Sequence, residues 1–479
     1  MCKVVGRYYL QTLGCPKNQV DSDKLEGYLD AQGYGCVEDP ADADLVVVNT
    51  CAFIEAARQE SIETILGLAD QRRPDARLVV TGCMAERYGD ELRAALPEVD
   101  LVAGFGQDLV AVTAPAAAVT VSLGATRTAI RPRRAASQGA AQGDPPFAGA
   151  SAGASFDLLE LPRPAAHAPW AYVKVAEGCD RICGFCAIPT FRGKQRSRSH
   201  DDILAEVDAL LAPDRNHTSA PPLREVVLVA QDLASFGRDR TGPGRANRTA
   251  TSGRSPIAAL TRAVSAKVER TRLLYLYPSG LTDELIEAVL QTGVPYFDLS
   301  LQHVSRPHLT RMRRWGDGQR FLDRIEDIRR LDPSATFRSS FILGYPGETE
   351  HDHDLLLEFL EAAQLDWAGF FTFSNEEGTH AAGLPDQVPP ELALERLREC
   401  GELQDAITAA KRDALVGTIQ RVLVDAPGRG RTVHEAPEID GVVRLTPDRD
   451  DGNAPTTGTI VDVTITGAEG PDLIAGPAS

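Results

Sequence analysis

The chain has 479 residues, enough at roughly 150 per domain for about three domains, each with its own buried core. Its 43% hydrophobic and 25% charged residues are those of an ordinary globular protein, which excludes wholesale disorder, collagen and long coiled coil. Fifty Lys plus Arg against sixty-eight Asp plus Glu leave a formal charge of -18, so nucleic acid as the main partner requires a local basic surface, whereas a basic protein is drawn in by the whole field. No apolar run has the length of a membrane span and the start, MCKVVGRYYLQTLGC, lacks the apolar core of a signal peptide. Both features predict a cytoplasmic protein with no membrane partner.

In chain order, residues 7–109 alternate short β-branched runs with helical patterns. RYYLQTLGC is followed by an amphipathic stretch over 20–34, then DLVVVNTC, a helix-like stretch over 55–70, and LVVTGC. The alternation predicts a parallel α/β sheet. Residues 113–168 differ, because 28 of the 56 are Ala, Gly or Pro and no periodicity persists; a loosely ordered linker is expected there. From 170 to about 400 six strand-like runs recur with helical stretches between them: AYVKVAEG, VVLVAQD, LLYLYPS, FDLSLQH, FRSSFILGYPG and AGFFTFS. Each ends in polar, Gly or Pro residues, the pattern of strands whose carboxyl ends open onto a site. This βα repeat is interrupted by a surface insertion over 239–255 and closed by a helical stretch over 390–414. From about 417 onward, short alternating strands with Gly-Pro-Asp turns (TIQRVLVDAPG, DGVVRL, TIVDVTIT) predict a small all-β barrel.

Nine cysteines in such a chain point to metal ligation or redox chemistry rather than a disulfide framework. Cys179, Cys183 and Cys186 lie in EGCDRICGFCAIP, directly after the first strand of the repeat. Three thiolates on one C-x3-C-x2-C loop can hold three irons of a four-iron cluster and leave the fourth open. Zinc ribbons use paired C-x2-C units and ordinary ferredoxins supply four cysteines, so neither matches the spacing; the bland alternative is three buried structural cysteines. Cys15, Cys51 and Cys83 are far apart in sequence, yet each follows a predicted parallel strand within three residues, so all three thiols are expected on the carboxyl-terminal edge of one sheet. The alternative is small core residues at strand ends; Gly14, Asn49 and Gly82 beside them favour a site, since Gly permits close backbone approach. Cys2, Cys36 and Cys400 have no such context and are read as non-ligands.

The loop at the end of the first strand of a six-fold βα repeat resembles the radical S-adenosylmethionine superfamily. Two three-cysteine sets in this order, followed by a small β domain, are similar to the methylthiotransferases of that superfamily. TLGCPKNQVDS, VVNTCAFIEAARQES, the RSRS segment at 196–199 and FILGYPGETE carry the likeness further. The resemblance implies an α/β chain with an amino-terminal parallel-sheet cluster domain (1–112), the linker (113–168), a central partial (β/α)6 radical SAM barrel (169–414) and a carboxyl-terminal TRAM barrel (415–479). It implies two [4Fe-4S] clusters, one on Cys15, Cys51 and Cys83 and one on Cys179, Cys183 and Cys186. S-adenosyl-L-methionine on the second yields the radical, and the product carries a methylthio group in place of hydrogen on carbon. Phe185 is expected against the adenine, and Gly344, Gly347 and Glu348 against the methionine or ribose part, with a turn and a helix-capping Glu as the alternative. Gln231 with Asp232, and Gln302 with His303, end strands and are expected to face the cavity, His303 being equally readable as a structural histidine. Lys17, near Cys15, suits an anionic sulfide or carboxylate, or else is a solvated loop lysine. No catalytic side chain is assigned beyond the clusters.

VAQDLASFGRD, LYLYPSGLTDELI, YFDLSLQHVS, FSNEEGTHAA and HEAPEIDGVV resemble the branch that modifies the β-carbon of an aspartate in small-subunit ribosomal protein twelve. The branch that modifies an adenosine of transfer RNA usually has Gln-Asn where this chain has Gln231-Asp232. Residues 417–479 contain five Arg, no Lys and ten Asp plus Glu, a net of -5, which repels an RNA backbone and attracts a basic ribosomal protein. The expected partners are therefore that basic substrate and a cellular one-electron reductant, with the enzyme a monomer. The rivals are the same chemistry on transfer RNA and a non-catalytic iron-sulfur RNA-binding protein.

Overall fold

The run Leu45–Thr50 (LVVVNT) is buried at every position, which a strand covered on both faces requires. In the computed structural model, which describes residues 5–109, 156–212, 220–240, 255–446 and 455–478, it is β3 of a five-stranded, all-parallel sheet. With β1 Gly6–Thr12, β2 Tyr34–Cys36, β4 Arg77–Gly82 and β5 Leu101–Val102, the order is β2-β1-β3-β4-β5. Helices α1 Pro16–Ala31, α2 Glu55–Gln71 and α3 Cys83–Ala95 make the crossovers. The order reverses between β1 and β3, the switch point at which doubly wound sheets accept ligands.

Six parallel strands follow: β6 Trp170–Lys174, β9 Glu225–Val229, β10 Arg270–Leu273, β11 Tyr296–Gln302, β12 Thr336–Leu343 and β13 Trp367–Thr372. Each pairs with its successor, and the two halves β6-β9-β10 and β11-β12-β13 join where the Leu276 N–H donates to Asp298 O (2.9 Å) and the Ser300 N–H to Leu276 O (2.9 Å). A short antiparallel ribbon, β7 Ala176–Glu177 and β8 Arg196–Ser197, brackets the cysteine loop. The carboxyl-terminal strands β14 Ile419–Ala426, β15 Arg429–Arg431, β16 Val443–Leu445, β17 Ile460–Glu469 and β18 Asp472–Pro477 form a closed barrel. The mixed α/β architecture expected from the sequence is thus present. Of the Ala/Gly/Pro-rich stretch only 156–168 falls among the described residues; there Leu158 and Leu159 are buried, Leu158 against the first sheet, and Lys24 of α1 donates to Leu159 O (2.9 Å) and Leu161 O (2.8 Å). Most of 239–255 lies outside the described residues. No helix among the described residues is long and apolar enough to cross a membrane.

Strand alternation sends every second side chain of the six-stranded sheet into the barrel lumen. The outer set (Val173, Val226, Leu228, Leu273, Phe297, Phe337) packs under the helices. The inner set carries Lys174, Glu225, Arg270, Arg272, Asp298 and Arg338 beside Tyr172, Val227, Val229 and Tyr296, and all six charged side chains are buried or nearly so. Such charges persist in low dielectric only when paired, and much of the pairing comes from the flanking domains. At the amino ends of the strands, Glu225 lies between Arg272 (2.7 Å) and Arg431 of β15 (2.9 Å), and Arg270 donates to the carbonyls of Arg431 and Thr432. Tyr172, Tyr296 and Trp367 donate to Pro437, Asp440 and His434 of the segment that follows β15. At the carboxyl ends, Lys174 meets Asp21 of α1 and Glu177. Burial pushes the Glu225 carboxyl up, but the Arg431 and Arg272 guanidinium groups pull it down to about 2.

Glu225→Ala leaves the buried Arg272 without its carboxylate and takes from Arg431 one of its two, Asp425 remaining, and is expected to cost about 3–5 kcal/mol. The measurement is a urea unfolding series of the full chain; an unchanged midpoint refutes this account of how the carboxyl-terminal barrel is held.

Candidate functional site

Cys15, Cys51 and Cys83 follow β1, β3 and β4, on the edge that contains the switch point. Cys15 is the N-cap of α1 and Cys83 the first residue of α3, so each thiol sits at the positive end of a helix dipole. Gly14 (φ +96°) and Gly82 (φ +91°) make the approach possible. A Cβ on Gly14 would lie 2.8 Å from Cys51 Cβ and one on Gly82 2.3 Å from Asn49 Oδ1. The Asn18 amide ties two of these loops together by donating to Leu13 O (2.9 Å) and Thr50 O (3.0 Å). The three thiols lie close enough to perturb one another. Burial, then Cys83 and Cys15, push Cys51 up to about 12. Cys15 is also penalised by burial, yet Lys17 and Arg192 hold it below the ordinary thiol value.

Arg192 comes from the other side of the interface, six residues after the last cysteine of the barrel loop. It donates to Cys83 Sγ (3.0 Å), Asn18 Oδ1 (2.7 Å) and both Glu177 oxygens (2.8 and 2.9 Å). With Lys174, Asp21 and Glu177 it forms a buried ionic lattice between α1 and the barrel mouth. A second clamp joins Arg58 of α2 (2.5 Å) and Arg87 of α3 (2.7 Å) to the buried Glu376 after β13.

Cys179, Cys183 and Cys186 occupy the loop between β7 and β8. Gly178 (φ +77°) has no room for a side chain, since a Cβ would lie 2.3 Å from Lys194 O. The Arg181 N–H donates to Cys179 Sγ (3.4 Å) and Arg314 to Cys183 Sγ (3.2 Å). Burial pushes Cys179 up to about 11 and Cys186 to about 12. Arg181 and Arg314 cover the Tyr277 ring at 3.8 and 4.3 Å, while two residues earlier Lys17 Nζ stands 3.2 Å over the Tyr275 ring. The segment from Tyr275 to Tyr277 therefore spans from one trio to the other. Tyr275 has φ +66°, a conformation a bulky side chain adopts only under constraint.

Among the described residues, the set of His, Cys, Asp and Glu whose ligand atoms all fall within 4.8 Å is His303, His308 and Glu348; the sulfurs of both trios stand wider than that. One tetrahedral ion with metal–sulfur bonds of about 2.3 Å draws its ligands closer, so neither trio is set for a single ion as it stands.

The remaining expected residues divide into two groups. Gln231 donates to Glu177 (2.8 Å) and its own Oε1 has no partner among the described residues; Asp232 accepts from Arg181 (2.6 Å) and Ser235 (2.6 Å). Both lie beside the barrel trio. Phe185 is half-buried against the barrel core, and Gln302 ends β11 with φ +73°. Gly344 and Gly347 shape a tight turn: the Gly344 N–H donates to Glu348, and a Cβ on Gly347 would fall on the Arg311 guanidinium. Glu348 lies 3.4 Å from Arg396 and belongs to the cluster with His303 and His308, in which His303 Nε2 and both His308 nitrogens lack partners among the described residues. Lys17 is not a solvated loop lysine, being 8% exposed. Reading the sequence alone missed Arg192, Lys174, Arg314 and Tyr275. A lysine at an inward position of an otherwise apolar strand was the available signal for Lys174.

Residues 7–104 match the family model described as uncharacterized protein family UPF0004, residues 224–360 that of the Radical SAM superfamily, and residues 416–477 the TRAM domain. The chain is similar to the ribosomal protein uS12 methylthiotransferase RimO of Frankia casuarinae, 41% identical over 507 residues that cover 98% of this chain and 92% of the relative. The protein of that name from Moorella thermoacetica is 40% identical over 460 residues, 95% of each chain, and that from Streptomyces coelicolor 38% over 494 residues, 98% and 96%. Among solved structures, the radical S-adenosylmethionine methyltransferase TsrM from Kitasatospora setae aligns with a TM-score of 0.46 at 12% identity, covering 85% of this chain and 90% of that one.

Burial raises the Glu348 carboxyl to about 7 against the pull of Arg396. A carboxyl raised in the folded state binds its proton more tightly there than in the unfolded chain. Its contribution to stability is therefore present at pH 5 and lost as pH rises through 7, by up to about 1.4 kcal/mol per unit. Urea midpoints at pH 5.5 and 8.5 are expected to show Glu348→Gln gaining on the native chain at the higher pH; a gain at the lower pH refutes the assignment.

Proposed function

The chain belongs to the RimO family of ribosomal protein uS12 methylthiotransferases, and on that premise we propose that it inserts a methylthio group at the β-carbon of an aspartate in ribosomal protein uS12. It is a radical S-adenosylmethionine transferase that uses S-adenosyl-L-methionine and an iron-sulfur cluster. In this reading Cys179, Cys183 and Cys186 hold the cluster that receives S-adenosylmethionine, and Cys15, Cys51 and Cys83 hold a second. When bound, these groups supply the radical that removes the substrate hydrogen and the methylthio group that replaces it.

The chain's own residues support that assignment by what they donate and exclude. Arg181 and Arg314 point N–H groups at Cys179 and Cys183, and Arg192 at Cys83, offsetting the negative charge that three thiolates bring to each centre. Phe185 offers an apolar face for the adenine. Gly344 and Gly347 form the tight turn that would border the cofactor, Gln231 has an acceptor without a partner among the described residues, and Gln302 at the end of β11 would complete the lining. The observation that carries the reading is the pair of trios, each at the carboxyl ends of parallel strands, facing each other across the α1 interface with Tyr275 to Tyr277 between them. The acidic carboxyl-terminal domain favours the basic uS12 over transfer RNA. Domain limits near 112, 168 and 414, a cellular one-electron reductant, a monomeric enzyme and a cytoplasmic setting belong to the same proposal.

Anaerobically reconstituted protein is expected to form deoxyadenosine and to add the mass of a methylthio group to purified uS12. Replacing Cys179, Cys183 and Cys186 together by Ala abolishes both. Replacing Cys15, Cys51 and Cys83 removes about half the iron and the methylthio product, while deoxyadenosine still forms. Modification of transfer RNA in place of uS12 overturns the reading.

A further inference from the structure

Lys17 is 8% exposed, yet among the described residues its Nζ makes no hydrogen bond or ion pair. Its contact is the face of Tyr275, 3.2 Å from the ring centroid. Every other buried lysine or arginine around this interface is matched: Lys174 by Asp21 and Glu177, Lys24 by Glu206 and two carbonyls, Arg192 by Glu177 and Asn18. The anions that act on it are the Cys15 and Cys83 thiolates, which a bound cluster would claim, and Asp298, so an ammonium seated on a π face keeps donors for a further anion. Asp298 makes no ion pair with Nζ among the described residues and is bound instead by Arg338 (3.0 Å) and the Tyr275 N–H (2.9 Å).

We propose that Lys17 is the seat of the substrate aspartate's side-chain carboxylate. The inference rests on the function proposed above and adds the group that selects the residue to be modified. The reacting β-carbon must lie between the two trios, and its carboxylate is one bond away. Lys17 lies there, two residues from Cys15 and over the amino-terminal end of the segment that reaches Cys183 through Tyr277 and Arg314. A charge-assisted hydrogen bond from Nζ fixes one end of the side chain, and the Tyr275 ring walls the ammonium on its other side, so the carbon is held by its own functional group. An asparagine or an adenine brings no negative charge to that position and leaves the cation unmatched, which is discrimination by an unpaired buried group.

The test compares the native chain with K17M and K17R, reconstituted anaerobically, on purified uS12 and on uS12 whose target aspartate is replaced by asparagine. Binding is read by fluorescence anisotropy, methylthiolation by mass, and iron and sulfide are counted in each variant. K17M is expected to weaken binding of native uS12 by about tenfold or more, K17R to recover part of it, and the gap between native chain and K17M to close on the asparagine substrate. Equal binding of native uS12 by K17M, a deficit that persists on the asparagine substrate, or loss of iron in K17M each overturns the inference, the last two by assigning Lys17 to the cluster. Failure of the native chain to modify uS12 at all is a separate result: it removes the functional reading, and this inference with it.

Discussion

The molecule depends on a barrel whose lumen is charged. Most α/β barrels fill the interior with branched apolar side chains; here Lys174, Glu225, Arg270, Arg272, Asp298 and Arg338 point inward, and Asp21, Arg431 and Asp440 of the flanking domains add to the pairs these side chains make within the barrel. Stripping the carboxyl-terminal domain away would take the partners of Arg270 and one partner each of Glu225 and Arg338, and stripping the amino-terminal domain one partner of Lys174. The central domain is thus incomplete alone, and the three domains form one body for an electrostatic reason as much as an apolar one.

That constraint reaches the chemistry through α1. The helix begins at Cys15, buries Asn18 beside Cys83, and sends Asp21 to Lys174 one turn later. One element therefore carries a cysteine of the first trio, the amide that ties its loops together and the anion that locks it to the barrel mouth. Arg192 reciprocates from the barrel side, leaving the second cysteine loop to touch Cys83 and Glu177 together. A rigid-body shift of the first sheet would break these contacts at once, so the distance between the trios is set by the same ions that hold the domains.

The architecture and both trios were legible in the sequence because they rest on local signals: β-branched runs of strand length, a helix start after each cysteine, glycines at 14 and 82 where φ is positive, and three cysteines on one loop. What stayed hidden was pairing across domains. Arg192 and Lys17 look like any polar residues near a loop, and their burial follows from a docking geometry that periodicity does not encode. The stretch ending near 168 misled for the opposite reason: low-complexity composition extends past Phe156, yet Leu158 there is buried against the first sheet.

The same internal pairing changes how the acidic carboxyl-terminal domain should be read. Counted from sequence its surplus looks like a docking surface, but Glu435 faces Arg412, Asp440 faces Arg338, and Asp425 faces Arg431, all inside the assembly. On the outside, Glu469 and Asp472 are held by Arg444. Long-range attraction depends on net charge and survives this reassignment, since the chain remains strongly acidic whichever side chains are buried. Those five carboxylates, already satisfied by arginines, have little left to offer an incoming basic chain in direct contact. The acidic field can therefore bring a basic protein to the surface, while the choice of one side chain falls to the region between the trios, where Lys17 offers an ammonium with donors to spare.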